Sequence, residues 1–313
     1  MVIGGPTASG KSALALAVAE AFDGVVVNAD SMQLYRELEI LTARPSADDM
    51  ARAPHRLYGV MPASEPCSAG RWRALALGEI AAAAEAGRLP ILVGGTGMYL
   101  KALMEGLAPV PEIPEAARAA AIALHERLGP EKFHAELGRL DPVMAARLRQ
   151  SDPQRLIRAY EVVAATGRSL ADWQESPAED SDPEAALSLR YGVLVLDPPR
   201  AELYAACDRR FAHMVEMGVV EEVRSLDALG LDSALPAMKA VGVPELRRYL
   251  HGHVTLDAAL TLARQSTRRY AKRQVTWFRH QMPGAHRIPT QYSESLKGQI
   301  FSFIVRPLLT PED

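Results

Sequence analysis

The first twelve residues contain the feature that most limits the fold, the sequence GPTASGKS directly after a short apolar run. It matches the phosphate-binding pattern G-x-x-x-x-G-K-[ST] through Gly5, Gly10, Lys11 and Ser12. Glycines let the backbone wrap closely around an anion, and the N–H groups that open the following helix point at it. Lysine adds a positive charge, and serine adds a hydroxyl that can ligate Mg²⁺. An ordinary glycine-rich turn is the alternative, but a strand, a complete motif and a helix in register favour a polyphosphate site.

Hydrophobic patterning predicts an α/β fold with an insertion. Short β-like runs (VIGG, GVVVNA, RLPILVGG and later RYGVLVLD) alternate with helical ones, as in a parallel sheet covered on both faces. Between Pro109 and about Asp182 only helices are indicated, starting at PEIPEAAR and SDPQRL, and the polar stretch QESPAEDSDPE reads as a linker. We therefore predict a P-loop NTPase-like parallel-sheet core over residues 1–110 and 183–313, with a helical insertion domain over 111–182.

Composition narrows the class of protein. A chain of 313 residues with 48% hydrophobic residues can build a large core, and no window is long and apolar enough to span a bilayer. Two cysteines, Cys67 and Cys207, supply neither a disulfide framework nor a cysteine-based zinc site. A net charge of −3 gives no overall attraction to nucleic acid, so such affinity needs a local basic patch. We expect a monomeric cytoplasmic enzyme that does not contact membranes.

A carboxylate follows the second predicted strand, in VVVNADSMQLYRELEI. Because ligands bind at the carboxyl ends of strands in open α/β sheets, Asp30 is predicted to lie near the phosphates. It could hold Mg²⁺ through water, act as a general base toward an acceptor, or cap a helix beginning near Ser31. The glycine-rich turn in LVGGTGMYLKALMEGL follows another strand and is expected to place Thr96 in the same cleft, although tight turns often contain glycines.

The C-terminal region holds a basic, aromatic helix. No acidic residue occurs between Asp257 and Glu294, whereas the core of this window, RRYAKRQVTWFRHQ, interleaves arginine and lysine with three aromatic side chains. Such a stripe suits a phosphate backbone and unpaired bases, although a solvated helix face is the usual explanation for a charge run. The segment SDPQRLIRAYEVV repeats the signal more weakly through Gln154, Arg155 and Arg158.

Taken together, these motifs resemble the tRNA dimethylallyltransferase family. The matching segments are GPTASGKS, NADSMQLYRELEILTARPS, GGTGMYLKALMEGL, DPQRLIRAYEV, DRRFAHMVEMGVVEEV and YAKRQVTWFR, which run in the family's order from Gly5 to Arg279. The resemblance implies that the loop binds dimethylallyl diphosphate rather than ATP. It also implies transfer of the five-carbon group to N6 of the adenosine 3′ of the anticodon, with that base flipped out of its stack.

The resemblance assigns roles to individual positions. Asp30 matches the general base, and Lys11, Arg210 and Ser12 with Mg²⁺ would stabilise the departing diphosphate. The positions matching diphosphate contacts are Gly5, Pro6, Thr7, Ala8, Ser9, Gly10, Lys11, Ser12 and Arg210. Those matching tRNA contacts are Asp30, Ser31, Met32, Gln33, Thr96, Arg118, Gln154, Arg155, Leu156, Ile157, Arg158, Lys272, Arg273, Gln274, Trp277 and Arg279.

Other functions fit part of the pattern. A P-loop kinase using ATP, a prenyltransferase acting on a free adenine nucleotide, and a non-catalytic RNA-binding module are the competing readings, and whether ATP binds stays open. The basic helix and the insertion favour tRNA over a small acceptor. The sequence departs from the family's usual IGTAKPS at ILTARPS, where a glycine is lost and Arg44 replaces lysine.

Overall fold

A computed structural model describes residues 1–176 and 189–309. Contacts between Cα atoms divide the chain into two compact units. One unit comprises Met1–Glu105 with Leu187–Asp313, and the other comprises Gly106–Ala186. Each unit has a hydrophobic core of its own.

The first unit is built on one sheet of six parallel strands in the order β3-β2-β4-β1-β5-β6. The strands are β1 (Val2–Gly4), β2 (Gly24–Asn28), β3 (His55–Arg56), β4 (Leu89–Gly94), β5 (Val193–Leu196) and β6 (His286–Ile288). Strand β1 lies between β4 and β5, with Val2 opposite Leu92 on one side and Val193 on the other. The predicted parallel α/β fold is therefore confirmed.

Helices cover both faces of this sheet. They are α1 (Lys11–Ala21), α2 (Ala47–Arg52), α3 (Ala69–Glu85), α4 (Gly97–Glu105), α9 (Arg200–Glu216), α10 (Val219–Asp227), α11 (Val243–Leu250), α12 (Leu256–Gln281) and α13 (Lys297–Leu309). Successive residues of a strand point to opposite faces, so Val25 and Val27 join one core cluster while Val26 joins the other. Because both faces are covered, the strands read as continuous apolar runs.

The second unit contains four described helices, α5 (Glu115–Leu140), α6 (Pro142–Arg147), α7 (Pro153–Thr166) and α8 (Leu170–Glu175). Helix α5 is interrupted at Gly129, which has a φ of 74° and is followed by Pro130. Helix α7 begins where SDPQRL predicts, since the Asp152 side chain accepts a hydrogen bond from the Arg155 N–H. The core of this unit is formed by Phe133, Leu137, Leu156, Ala159 and Val162, among others.

The segment after β2 differs from one of the sequence interpretations. Residues 31–46 contain no helix, so the alternative that Asp30 caps a helix near Ser31 is wrong. The Asp30 carboxylate instead accepts the Met32 N–H in a tight turn at 2.9 Å. From residue 177 onward, the predicted linker lies outside the described residues. Within residues 1–176 and 189–309, no helix is long and apolar enough to cross a membrane.

Candidate active site

The phosphate loop connects β1 to α1 in a conformation that its glycines permit. Gly5 (φ 142°) and Gly10 (φ 91°) have backbone angles that side chains rarely adopt, and a Cβ on Gly5 would lie 2.7 Å from the Leu196 carbonyl oxygen. Ser9 is fully buried, and its hydroxyl donates to the Pro6 carbonyl at 2.8 Å. The loop is therefore a preorganised cradle at the N-terminus of α1, where the helix dipole favours an anion.

Lys11 is the first cation of the cradle. Its ammonium donates to the Pro6 carbonyl at 2.6 Å. Burial lowers the pKa of Lys11 to about 8, an effect that the Asp30 carboxylate partly offsets and the Arg210 guanidinium reinforces. A partly desolvated ammonium beside the loop is a strong attachment point for a diphosphate.

Arg210, on α9, is the second cation. Its guanidinium donates to the Thr7 hydroxyl, and burial lowers the pKa of Arg210 from its usual value. Arg210 lines a cavity of about 70 Å³ together with Thr7, Lys11, Ser12 and Asp30. The two cations, the loop and the carboxylate thus share one small enclosure.

Asp30 is oriented by the residue two positions before it. The buried Asn28 side chain accepts from the Asp30 N–H at 2.8 Å and donates to the Asp30 and Leu57 carbonyls at 3.0 and 2.9 Å. The Trp72 indole N–H bonds the Asn28 carbonyl at 2.9 Å. This network aims the carboxylate into the cavity and was not recognised from the sequence.

The third strand end, after β4, supplies Thr96. The Thr96 hydroxyl accepts the Ser31 N–H at 2.9 Å and donates to the Ser31 hydroxyl at 3.2 Å, joining the turns after β2 and β4. Tyr270 of α12 lies beside them, and burial together with the Asp30 charge raises the pKa of Tyr270 above its usual value. Thr96 is thus bonded to Ser31, the residue next to Asp30, and its contact with tRNA stays a prediction.

Gln274 joins two of these loops. It is buried, its amide oxygen accepts the Thr7 N–H at 2.8 Å, and its amide nitrogen donates to the Gly95 carbonyl at 2.9 Å. Both ends of the side chain are therefore used inside the protein. In this structure Gln274 fixes the phosphate loop to the turn after β4.

A larger cavity of about 230 Å³ opens beside the phosphate loop. Its polar lining includes Thr7, Asp30 and Arg210, which also line the smaller cavity, and the exposed Arg273. Its apolar side is lined by Met32, Leu41, Phe211, Met214, Ala240 and Val241. A ligand with an anionic head and a short hydrocarbon tail matches this division.

The basic stripe of α12 is only partly free. Arg268 pairs with Asp208 at 3.1 Å, and Arg279 pairs with Asp197 at 3.1 Å, so acidic residues of other elements neutralise part of the stripe. Lys272 and Arg273 are exposed and have no ion-pair partner among the described residues. These two, together with the exposed Arg269, which also has no ion-pair partner in the described part of the chain, are the cations of α12 available to an external phosphate.

The aromatic residues of α12 are largely occupied by packing. A Cβ on Gly97 would lie 2.2 Å from the Trp277 ring, which shows how closely the indole covers the start of α4. Phe278 is buried and meets Trp277 edge to face at 5.3 Å. Trp277 is half-buried, and its accessible part could stack on a base.

In the helical unit, the predicted tRNA contacts of α7 differ in exposure. Gln154 and Arg155 are exposed, Ile157 and Arg158 are half-buried, and Leu156 is fully buried in the core of the unit. Arg158 donates to the buried Glu161 carboxylate at 2.6 Å, and Arg118 of α5 lies 3.7 Å from the same oxygen.

The residues present fit Mg²⁺ only with help from a ligand. Within the described ranges, no three His, Cys, Asp or Glu side chains form a metal-binding cluster. The Ser12 hydroxyl and the Asp30 carboxylate line the small cavity, and Mg²⁺ commonly takes one or two such oxygens plus substrate phosphates and water. The donor set suits a metal that arrives with a diphosphate.

The tail after Pro289, which carries no recognisable motif, also contributes to the site. The Gln291 amide donates to the Ala8 carbonyl at 3.1 Å, and the Tyr292 N–H donates to the Ser9 carbonyl at 3.2 Å. The tail therefore supports the outer side of the phosphate loop. No local sequence signal indicates this contact.

Two family models and several curated relatives match this chain. The family model described as IPP transferase matches residues 33–281, and that described as Isopentenyl transferase matches residues 1–61. A tRNA dimethylallyltransferase of Rhodospirillum centenum is 58% identical over 92% of this chain and 90% of its own length. One of Paramagnetospirillum magneticum is 55% identical over 99% and 97%.

Solved structures of similar proteins superpose on nearly the whole chain. A tRNA isopentenylpyrophosphate transferase of Bacillus halodurans superposes with a TM-score of 0.70 at 33% identity, covering 98% of this chain and 96% of its own. A eukaryotic dimethylallyltransferase acting on tRNA gives a TM-score of 0.79 over 98% of this chain and 78% of its own, and at 23% identity it bears on the fold alone. The chain therefore belongs to the tRNA dimethylallyltransferase family of prenyltransferases.

Proposed function

We propose that this chain transfers the dimethylallyl group of dimethylallyl diphosphate to N6 of the adenosine 3′ of the anticodon in tRNA. The observation that carries the proposal is the shared cavity in which Asp30 lies with Lys11, Arg210 and the phosphate loop. A proton acceptor and a site for an anionic leaving group are what this substitution requires.

The proposed step balances as follows. A bond forms between the adenine N6 and the first carbon of the dimethylallyl group, while the bond from that carbon to the diphosphate oxygen breaks. The electron pair leaves with the diphosphate, where Lys11 and Arg210 stabilise the charge that develops. The proton lost from N6 goes to the Asp30 carboxylate.

Mg²⁺, held by Ser12 together with diphosphate oxygens, would supply further neutralisation of the leaving group. The larger cavity offers the hydrocarbon tail an apolar wall, which includes Phe211 and Met214. With the hydrocarbon tail bound against it, this wall would keep water from the reacting carbon and so favour attack by the adenine amine over hydrolysis.

Binding of tRNA is proposed for the exposed cations of α12 and for the first turn of α7. Lys272 and Arg273 present free positive charge, and Gln154 and Arg155 are exposed at the start of α7. The remaining predicted contacts are Ser31, Met32, Gln33, Thr96, Arg118, Ile157, Arg158, Trp277 and Arg279. We also propose that the enzyme acts as a monomer in the cytoplasm.

The test is mass spectrometry of an unmodified anticodon stem-loop with adenosine 3′ of the anticodon, after incubation with protein, Mg²⁺ and dimethylallyl diphosphate. We expect a gain of one five-carbon unit on that adenosine. No gain on the stem-loop or on full-length tRNA, beside an active control enzyme, would redirect attention to ATP and to phosphoryl transfer.

Asp30→Asn tests the base separately from binding. The amide oxygen can still accept the Met32 N–H, so the turn should persist while proton acceptance is lost. We expect turnover to fall by about 10²–10⁴-fold, with stem-loop affinity unchanged. Turnover equal to that of the unsubstituted protein would exclude Asp30 as the base.

A further inference from the structure

One loop forms part of the wall of both cavities described above. This segment, residues 38–44, is called the wall loop here. Leu41 and Thr42 line the larger cavity, and Thr42 and Ala43 line the smaller one beside Lys11 and Ser12. The position of this loop therefore affects the shape of the whole pocket.

The backbone of the wall loop is bound by one side chain of helix α10, in addition to the burial of Leu38 and Leu41 in the main core. The Glu222 carboxylate accepts three consecutive backbone N–H groups: those of Glu39 and Ile40 at 2.7 Å each, and that of Leu41 at 2.8 Å. Both carboxylate oxygens are used. Hydrogen bonds to an ionised acceptor are short and strong, and these three distances lie at the short end of the range.

Helix α10 provides a rigid base for this contact. Its core-facing side is buried in the main core through Val219, Val223 and Leu226. Glu222 is half-buried at the edge of this face, between Val219 and Leu226 at helical spacing, and its carboxylate reaches the wall loop. The carboxylate thus holds the wall loop, which has no regular secondary structure, in place against the helix.

The wall loop also contacts Gly242, the residue that follows Val241 of the larger cavity. A Cβ on Gly242 would lie 2.7 Å from Leu41 Cδ1, so the Leu41 side chain rests directly on that glycine. The Thr42 hydroxyl donates to the Leu38 carbonyl at 2.6 Å, and the Gln33 amide donates to the Thr42 carbonyl at 2.9 Å. The Thr42–Leu38 bond lies within the loop, whereas Gln33, Gly242 and Glu222 hold it from neighbouring segments.

We propose that Glu222 is a positioning residue for binding of the prenyl donor. It fixes the wall loop so that Leu41, Thr42 and Ala43 complete the pocket for dimethylallyl diphosphate, an inference that rests on the function proposed above. Glu222 itself contacts no substrate in this scheme. We expect its main effect on the donor side, because the exposed cations assigned to tRNA lie on α12 and in the helical unit, and among the described residues Gln33 is the one proposed tRNA contact bonded to the wall loop.

Glu222→Gln is the informative substitution. It preserves size, but glutamine has one oxygen acceptor and an NH₂ group that cannot accept an N–H. One or more of the three loop amides must then lose its partner. Glu221→Gln is the matched control, because the neighbouring Glu221 is exposed and pairs only with Arg224 on the surface.

The measurements are donor affinity by calorimetry, stem-loop affinity by filter binding, the melting temperature, and hydrogen exchange of the amides of residues 39–41. For Glu222→Gln we expect roughly tenfold weaker donor binding and roughly tenfold faster exchange of those amides. Stem-loop affinity and melting temperature should match those of Glu221→Gln. Glu222→Asp, which keeps the charge on a shorter arm, should be intermediate.

Three outcomes would overturn the proposal. Donor affinity equal to that of the control would show that the contact between Glu222 and the wall loop has no effect on the pocket. Equal weakening of both substrates with a lower melting temperature would indicate a general structural role. Unchanged exchange of residues 39–41 would show that Glu222 does not hold the loop. Failure of the unsubstituted protein to bind the donor would instead reject the proposed function. The exchange measurement would still test whether Glu222 holds the wall loop.

Discussion

At the scale of single residues, the site gains its properties from side chains held in unfavourable surroundings. Lys11 is partly withdrawn from water, and Asp30 is held by Asn28 and the Met32 N–H so that its carboxylate faces the cations. Burying charges before the ligand arrives costs stability in the free protein and strengthens their interaction with an anion afterwards.

The lowered pKa of Lys11 predicts a dependence on pH. In the free enzyme the ammonium is half deprotonated at about pH 8, so kcat/KM for dimethylallyl diphosphate should fall above that value. A pH profile of kcat/KM measures this directly. Lys11→Arg is the control, because a guanidinium stays charged and should remove this decline. A wild-type profile that stays flat well above pH 8, or a decline that persists in Lys11→Arg, would contradict the assignment.

The same pKa affects stability in the opposite direction. The folded value, about 8, lies below the ordinary lysine value of 10.5, so the unfolded chain binds more protons between these two limits. This group therefore makes the free energy of unfolding rise with pH across that window. Below about pH 8 the full cost of the buried ammonium is present.

At the scale of elements, the turn after β4 and helix α12 depend on each other. Gly97 opens α4 directly beneath the Trp277 indole, and Gly95 is equally close to Gln274, where a Cβ would lie 2.1 Å from the amide nitrogen. Gly95 and Gly97 of GGTG are therefore required because α12 packs on them, whereas a Cβ on Gly94 would lie 2.0 Å from the Ala29 carbonyl oxygen. This packing brings Tyr270 and Arg273 to the cavity.

Gly97→Ala should disturb this packing. The added methyl must displace the Trp277 ring, and we expect a loss of about 1–3 kcal/mol in the free energy of unfolding. Gly78→Ala in α3 is the control, because a Cβ there meets nothing within 4 Å and should add about 0.5–1 kcal/mol. Urea denaturation of both variants provides the measurement. Equal stability of the two variants would show that the indole moves aside without cost.

Helix α12 also carries a prediction about salt. Arg273→Ala should weaken stem-loop binding and reduce the slope of log Kd against log salt concentration by about 1, since one phosphate contact is lost. Arg224→Ala on α10 is the control, because that arginine is paired with Glu221 at 3.0 Å. Filter binding over a range of salt concentrations gives both slopes. A slope for Arg273→Ala equal to that of the control would remove Arg273 from the proposed interface.

At the scale of the whole molecule, the chain divides its tasks between two units. The sheet unit contains the phosphate loop, Asp30 and both cavities, whereas the helical unit has a separate core around Phe133 and Leu156. Each unit therefore has the means to remain folded when the other is altered. The sequence prediction placed the insertion at residues 111–182, and the compact helical unit spans 106–186.

Replacing residues 106–186 by a flexible Gly/Ser linker should separate the two binding functions. We expect affinity for dimethylallyl diphosphate to stay within about twofold, because every residue lining the cavities remains, while stem-loop affinity falls by at least about tenfold. Calorimetry and filter binding measure the two affinities. Unchanged stem-loop binding would show that the helical unit does not contribute to tRNA recognition.

The sequence by itself determined the phosphate loop, the parallel strands and the family, because each depends on local spacing or on a long series of motifs in fixed order. It also indicated Asp30 and Thr96, since parallel strands bring their carboxyl ends to one edge. The tertiary structure alone decided the rest. It shows Gln274 spanning two loops, Arg268 and Arg279 paired with acids of other elements, and Glu222 bound to a loop about 180 residues earlier in the chain. The physical reason is that these contacts join segments far apart in sequence, and strand order and helix packing, rather than local pattern, bring their side chains together.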